Sequence, residues 1–579
     1  MEQSKELGRG AKLAMASVTS PNAECRMQNW NGRIIAVFVF CLLGEILFSQ
    51  SSNTRYWVAF TDKNASPYSV SNPQQFLSQR AINRRALHGY AVNTQDLPVN
   101  PSYVSQVSAT GAVIMSKSRW YNGVLVRISN PAQLTAINAL PFVQNTKSVA
   151  LIKPLSPYVG PRENPAGNQK NMAMQSVDRF NYGQGYNQVT QLNGECLHNL
   201  FYDGTGMQIA VIDNGFKNAD TIPIFDSLWA HNRVLGKHNF FSGDTTDVFV
   251  LGGHGTSVLS CMAAFTGGSF IGTAPYAGYY LLRSEIDTCE QIVEEYTWVS
   301  AIEYADSAGA DIANSSLGYV GFDDATQDHT WADLDGKTSV ASFSATLAAR
   351  RGMIVCIAAG NSGSGSWRKI TIPSDADSIL CVGAVDATGN YASFSSQGYS
   401  ADGRVKPEVV AQGEQSTVIS ANSGNVITSS GTSFASPILA GMVACLWQGN
   451  PTKTNMEVIN AIKQSASKYT TPDSLLGHGI PDFCLADQIL KGLVGIYTQP
   501  DIEFNQSGLC VSGMENCKLT IEMYDISGRL LSSTTKDISG YGQKTSLEVP
   551  VYQNAKPGVY IFRITSDKGY LSAKKISKN

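Results

Sequence analysis

The sequence predicts an α/β protein built on a mostly parallel sheet with helices on both faces. A small α+β unit precedes that sheet, and a β-sandwich of short strands follows it. Three observations predict this. Between residues 209 and 447, strand-like apolar runs alternate with helix-like stretches, the order that builds a parallel sheet. Residues 53–153 carry their own short strands and helices. Past residue 495 the chain changes to short alternating strands separated by turn residues, the pattern of a sandwich. A length of 579 residues accommodates several such domains. The net charge of −3, mixed in sign, lacks the basic excess of nucleic-acid binders.

The elements follow in order. Residues 1–26 are polar and without pattern. Arg33 then precedes the apolar run Ile34-Ile35-Ala36-Val37-Phe38-Val39-Phe40-Cys41-Leu42-Leu43-Gly44. A charged segment before an apolar run too short for a comfortable membrane span reads as a secretory signal. Residues 1–50 are therefore a signal region, with Met27 as the expected start and cleavage near Ser49-Gln50-Ser51. Cys41 lacks the flanking residues of a lipid-anchored signal. In residues 53–153, Tyr56-Trp57-Val58-Ala59-Phe60 alternates like a strand, and 73–88 reads as a helix with Phe76, Leu77, Ala81 and Ile82 apolar and an Arg84-Arg85 pair. Strands are expected at 112–115 and 120–128, and a short helix at 131–140. The Pro/Gly/Asn-rich stretch 153–170 reads as an exposed linker.

The region 165–492 carries the alternation. Strands are expected at 209–212, 279–282, 311–316, 353–358 and 379–385, and helices at 254–264, 292–309, 339–351 and after Gly431. The last helix opens on Gly431-Thr432-Ser433-Phe434-Ala435-Ser436-Pro437 and runs on through an apolar stretch to Trp447. Pro437 falls in its first turn, where a missing N–H matters little. Ser433 thus sits near a helix N-terminus, which favours negative charge. A nucleophilic serine needs that setting, because its attack on a carbonyl creates an oxyanion; a plain N-cap serine would occupy the same place.

Three other stretches carry candidate chemistry. Asp213 ends the apolar strand Ile209-Ala210-Val211-Ile212 and precedes Asn214-Gly215, a sequence that also suits an ordinary turn. His254 lies in Gly252-Gly253-His254-Gly255, where the glycines would let a substrate backbone approach; the other six histidines read as ordinary surface or core residues. Asn361 follows Gly360 at the end of the apolar run Ile354-Val355-Cys356-Ile357-Ala358.

Gly-Thr-Ser-x-Ala-x-Pro resembles the nucleophile motif of the subtilisin-like serine proteases, the subtilase family. That family orders its triad Asp, His, Ser, the order of Asp213, His254 and Ser433 here. Ala313-Asn314-Ser315-Ser316-Leu317-Gly318 resembles the family's substrate-pairing strand, and Gly477-His478-Gly479-Ile480-Pro481-Asp482 resembles its closing segment. The resemblance implies a subtilisin-like fold and a serine endopeptidase. Ser433 would be the nucleophile, His254 the base and Asp213 its orienting partner. Asn361 would be an oxyanion donor, and Ser316, Leu317 and Gly318 would bind substrate backbone. Such chemistry requires no metal or organic cofactor. Structural calcium occurs in the family and stays open here, since no diagnostic ligand spacing is present.

Residues 53–153 resemble the N-terminal propeptides of secreted bacterial subtilases, implying a zymogen; a permanent accessory domain is the alternative. In 495–579, Tyr524-Asp525-Ile526-Ser527-Gly528-Arg529 and Pro557-Gly558-Val559-Tyr560 resemble the C-terminal sorting domain of the Bacteroidetes type IX secretion system, although the Lys578-Asn579 ending departs from the usual basic finish. That likeness implies protein or peptide substrates outside the cell, the secretion machinery as a partner and attachment at the cell surface. An immunoglobulin-like binding module is the alternative. No nucleic-acid partner is expected. Two rivals to the peptidase reading stand: another serine hydrolase (amidase or esterase), and an inactive protein that keeps the fold.

Nine of eleven cysteines follow the signal. Cys510 and Cys517 flank a turn and could pair; Cys356 and Cys381 lie in neighbouring strands and either touch or merely pack. Glu294-Glu295 and Asp323-Asp324 read as a solvated acidic surface or as a contact for basic substrate side chains.

Overall fold

The computed structural model describes residues 54–150, 178–242, 247–286, 289–493 and most of 501–578. The expected signal region and the linker 153–170 lie outside the described residues. So do the side chains of Cys510 and Cys517.

The central sheet has seven strands. From edge to edge they are Val409–Gln412, Leu380–Val385, Ile354–Ala358, Ile312–Ser315, Gln208–Asp213, Gly278–Arg283 and Val234–Asn239. Every neighbouring pair is parallel. The inner strands are buried on both faces, so they read as continuous apolar runs rather than as alternation. Their side chains still divide by face. Ile209 and Val211 enter one core, with the helices His254–Ala263 and Thr432–Gln448. Ala210 and Ile212 enter the other, with Val293–Ala308 and Val340–Arg350. The two edge strands escaped the sequence reading. Val234–Asn239 is largely polar and only part-buried, and the four-residue Val409–Gln412 follows a Lys-Pro-Glu stretch without a clear pattern.

This division settles two cysteines. Leu380 pairs with Cys356, and Cys381 with Ile357. Neighbouring residues on a strand point to opposite faces, so Cys356 packs in one core and Cys381 in the other, and both are free thiols. A disulfide forms instead between Cys196 and Cys484, tying the helix Glu195–Asn199 to Phe483–Leu490 across 288 residues of sequence.

The N-terminal unit is a four-stranded antiparallel sheet in the order Val113–Ser118, Gly123–Ile128, Thr54–Phe60, Val143–Ala150. The single helix expected over 73–88 is divided. A 3-10 turn covers Pro73–Gln75, and the α-helix covers Gln79–Leu87. Ser78 is extended between them and accepts the Ala81 N–H at 3.1 Å, a side-chain cap that starts a new helix. The helix Pro101–Ala109 and the strand Val143–Ala150, with its polar QNTKS centre, were missed because their apolar positions are few.

This unit packs on the helix Val293–Ala308, and Trp57, Trp120 and Leu125 join the core on that face. Charge fastens the contact. Glu303 accepts the Ser118 hydroxyl and the N–H groups of Arg119, at 2.8 Å, and Trp120. Asp306 pairs with Arg84, Arg85 and Arg119.

The tail forms two antiparallel sheets. One orders Leu530–Ile538, Cys517–Asp525, Gly558–Ser566 and Leu571–Lys578, with Leu519, Ile521, Met523, Phe562 and Ile564 buried. The other holds Asp501–Asn505, Gly508–Ser512 and Thr545–Leu547. Among the described residues no helix is long and apolar enough to cross a membrane.

Candidate active site

Asp213 is the last residue of its strand, and its side chain is fully buried. Its Oδ1 accepts the Asn214 N–H at 2.9 Å and meets His254 Nδ1 at 2.8 Å. A carboxylate can only accept here, so Nδ1 carries the proton and Nε2 is left as the basic nitrogen. The other carboxylate oxygen, Oδ2, is buried without a partner among the described residues.

Glycines make this contact. A Cβ on Gly252 would lie 2.2 Å from the Asn214 carbonyl oxygen, and one on Gly255 would lie 2.2 Å from the Gly215 oxygen and 2.9 Å from Asp213 Cβ. The glycines around His254 were expected to admit a substrate backbone; the structure instead packs two of them, Gly252 and Gly255, on the chain's own aspartate turn. Burial pulls the His254 pKa down, but the Asp213 charge and hydrogen bond outweigh it. With a smaller push from Glu285, the imidazole ends above its ordinary value.

Ser433 is the second residue of the helix Thr432–Gln448, inside the first turn rather than at the cap, which is Gly431. Asn361 supplies the missing cap. Its Oδ1 accepts the Thr432 N–H at 2.9 Å and the Thr432 hydroxyl at 3.0 Å, while Thr432 Oγ1 accepts the Gly360 N–H at 3.1 Å. These bonds fix the amide and commit its oxygen, so its Nδ2 is the end available to a ligand. A Cβ on Gly431 would lie 3.5 Å from that nitrogen.

The strand end 314–316 is stapled to the same helix. Ser316 Oγ donates to the Ser433 carbonyl at 2.8 Å, and Ser436 Oγ donates to Asn314 Oδ1 at 2.7 Å. The Ser433 hydroxyl donates to the Ser316 carbonyl at 3.3 Å, not to His254. The His254 ring nonetheless lies beside the helix start, with its centroid 6.0 Å from that of Phe434. Side-chain bonds of this kind are often unmade before substrate arrives. The expected residues thus gather as Asp213 with His254, and Ser433 with Ser316 and the anchored Asn361. Leu317 is part-buried against the core, and Gly318 lies against Thr371.

Two groups nearby were not anticipated from sequence. Glu294 and Glu295 are buried, which corrects the reading of a solvated face. Glu295 pairs with His329 and accepts the Ser339 hydroxyl. Glu294 lies with Glu285 and Glu290, one oxygen of each within 4.8 Å of the others. Burial first, then mutual repulsion between Glu290 or Glu294 and their neighbours, moves these carboxyls toward the protonated form, Glu285 to about 7 and Glu290 to about 8. As a calcium cradle the trio is a poor fit. Glu294 already accepts the Ile286 and Gln291 N–H groups at 2.8 and 2.9 Å, and Glu285 accepts the Tyr319 hydroxyl. Calcium takes six to eight oxygens. No periodicity marks Glu285 or Glu290 in the sequence; their roles come from a strand end and a helix start meeting in space.

Fold and site together define an α/β protein of serine-hydrolase type, with a buried carboxylate and an imidazole at strand and helix ends beside a serine in a helix's first turn. The chain belongs to the subtilase family. The profile of that family matches residues 204–479, and the profile of the Peptidase S8 propeptide domain of Bacteroidota matches residues 55–169. Subtilisin from Bacillus pumilus is 31% identical over 299 residues, which cover 50% of this chain and 94% of that protein. Subtilisin DY from Bacillus licheniformis is 33% identical over 273 residues, 46% of this chain and 85% of that one. Subtilisin E from Bacillus subtilis (strain 168) is 30% identical over 286 residues, 48% of this chain, and the match spans 65% of its own length.

Proposed function

We propose that this chain is a serine endopeptidase made as a zymogen, exported from the cell and released or held at its surface. The observation that carries the peptidase reading is the 2.8 Å contact of His254 Nδ1 with the buried Asp213, beside the helix start that holds Ser433. Ser433 attacks the peptide carbonyl. His254 Nε2 takes its proton and returns it to the leaving amine, while Asp213 keeps the proton on Nδ1 and stabilises the imidazolium. Asn361 Nδ2 and the Ser433 N–H stabilise the oxyanion; the second residue of a helix has no intrahelical partner for its N–H. Residues 316–318 pair with the substrate backbone. The propeptide-profile match over 55–169 supports the zymogen. The apolar run 34–44 and the sorting-domain likeness of 495–579 support export by the type IX machinery.

The test compares the chain from Ser51 with its Ser433→Ala variant, each incubated with casein and followed by intact mass. The intact form is expected to shed its N-terminal unit within the 153–170 linker, to degrade casein and to be blocked by a serine-directed phosphonate. The variant stays full length and inert. Hydrolysis of small esters without any protein cleavage would favour an esterase. Two inert forms, even after a trace of trypsin, would leave only a binding protein. The same mass measurement on protein recovered from culture medium reports whether 495–579 is removed on export.

A further inference from the structure

We propose that Thr371 closes the side-chain pocket beside Ser433, so that cleavage follows small residues, alanine and serine before leucine or phenylalanine. This rests on the peptidase reading. A substrate whose carbonyl carbon meets Ser433, whose oxyanion faces Asn361 and whose backbone follows 316–318 must place its acyl-side side chain between two walls. One is the segment ending at Gly318, and the other is the strand end at Gly360 and Asn361.

Both walls are glycine where they face each other, and Thr371 stands between them. A Cβ built on Gly318 would lie 2.2 Å from Thr371 Oγ1 and 2.9 Å from Thr371 Cβ. One built on Gly360 would lie 2.7 Å from Thr371 Cγ2 and 2.9 Å from its Oγ1. The threonine therefore touches both walls at once. Because its Cβ is part of the contact with Gly318, no rotation about χ1 clears the space.

The residue is also held from behind. Its N–H donates to the Ala359 carbonyl at 3.1 Å. Its own carbonyl accepts the Ser374 N–H at 2.8 Å and the Ser374 hydroxyl at 2.6 Å. The next residue, Ile372, exchanges both backbone bonds with Tyr319, at 2.7 and 3.2 Å. A β-branched side chain on so fixed a backbone does not swing aside.

The Thr371 hydroxyl carries the second half of the argument. Thr371 is 6% exposed, yet Oγ1 has no hydrogen-bond partner among the described residues. Buried hydroxyls nearly always have one. A hydroxyl aimed between two glycine walls next to a nucleophile is placed to meet a small substrate side chain, and a serine hydroxyl could satisfy it. The side chains of the preceding loop are engaged elsewhere. Trp367 Nε1 donates to the Ile370 carbonyl at 3.0 Å, and Lys369 Nζ to the Gly398 carbonyl at 3.2 Å.

The test uses the processed protein and four tetrapeptide p-nitroanilides that differ only in the residue before the scissile bond: Ala, Ser, Leu and Phe. We expect kcat/KM for Ala and Ser to exceed that for Phe roughly 10-fold or more. In Thr371→Gly the ratio of kcat/KM for the Phe substrate to that for the Ala substrate should rise roughly 10-fold or more. Thr371→Ala keeps the backbone preference of a residue with Cβ. It must raise the Leu substrate in the same direction, which covers a glycine variant that fails to accumulate. Labelling of Ser433 by a fluorophosphonate separates the two readings. A labelled enzyme that cleaves after Phe as well as after Ala overturns the pocket and leaves the peptidase standing. A protein that neither labels nor turns over any of the four substrates overturns both.

Discussion

Asp306 and Asp213 are both fully buried, and their surroundings differ. Asp306, on the helix that carries the N-terminal unit, has both oxygens engaged by the guanidinium groups of Arg84, Arg85 and Arg119. Burial alone would raise its pKa, but the three arginines override it and hold the carboxyl at about 2. Asp213, at the sheet end, offers one oxygen to a backbone N–H and an imidazole, and its second oxygen has no partner among the described residues. A carboxylate saturated by permanent cations is a fastener, and nothing about it changes between states. A carboxylate whose main partner is a histidine interacts differently once that histidine gains a proton. The same residue type at the same burial thus serves assembly in one place and, on the proposed mechanism, chemistry in the other.

The largest expected effect is at the responsive site. Asp213→Asn keeps the size but removes the charge and favours the wrong imidazole tautomer. Peptidase kcat/KM should fall roughly 10⁴-fold, with the circular dichroism spectrum unchanged. The base must be neutral to act, so activity is present above the His254 pKa and lost as pH falls through it. Asp213 raises that pKa, so the acid limb of whatever activity remains should move to lower pH in the variant. An unchanged rate would erase the contrast between the two aspartates.

At the fastener, Asp306→Ala leaves three buried guanidinium groups competing for Asp96 and backbone carbonyls. Removing one side of a buried ion network costs about 3–5 kcal/mol. Urea unfolding of the full chain, in a Ser433→Ala background that prevents processing, should show that loss. A change below about 1 kcal/mol would mean that desolvation already cancels the network's attraction.

How much of each region could be read from sequence follows from the same contrast. Asp213 ends a strand, His254 and Ser433 open helices and Asn361 follows a strand end, and each has glycines or small residues beside it. Local sequence therefore marks them. Asp306 sits in the last turn of a helix and looks like any solvated helical acid. Its three partners lie 187 to 222 residues away, and only the docked sheet brings them to it. The Cys196–Cys484 bond and the Thr371 contact with Gly318 and Gly360 are likewise products of tertiary approach. The parallel sheet was legible because its inner strands are continuously apolar. Its polar edge strands and the sparsely apolar elements at Pro101–Ala109 and Val143–Ala150 were not.

A third set of carboxylates, with Glu285 and Glu294 buried and Glu290 part-buried, sharpens the comparison, because its members face one another rather than a ring of arginines. Glu285, Glu290 and Glu294 converge, and burial with mutual repulsion lifts Glu285 to about 7 and Glu290 to about 8 from an ordinary value of 4.5. The folded chain then binds more protons than the unfolded one between those values, so its stability must fall as pH rises through that window. This is opposite in sign to Asp306, whose depressed pKa adds stability that is lost only as pH falls toward 2. Glu290→Gln removes one of the three charges without removing its volume. The melting temperature of the parent should drop more steeply between about pH 5 and pH 8 than that of the variant, a small effect of a few degrees. Parallel curves would show that the three groups do not share protons. A parent curve flattened by added calcium, with the variant's left unmoved, would show that a cation and not a proton relieves the trio, and would place it with the fasteners.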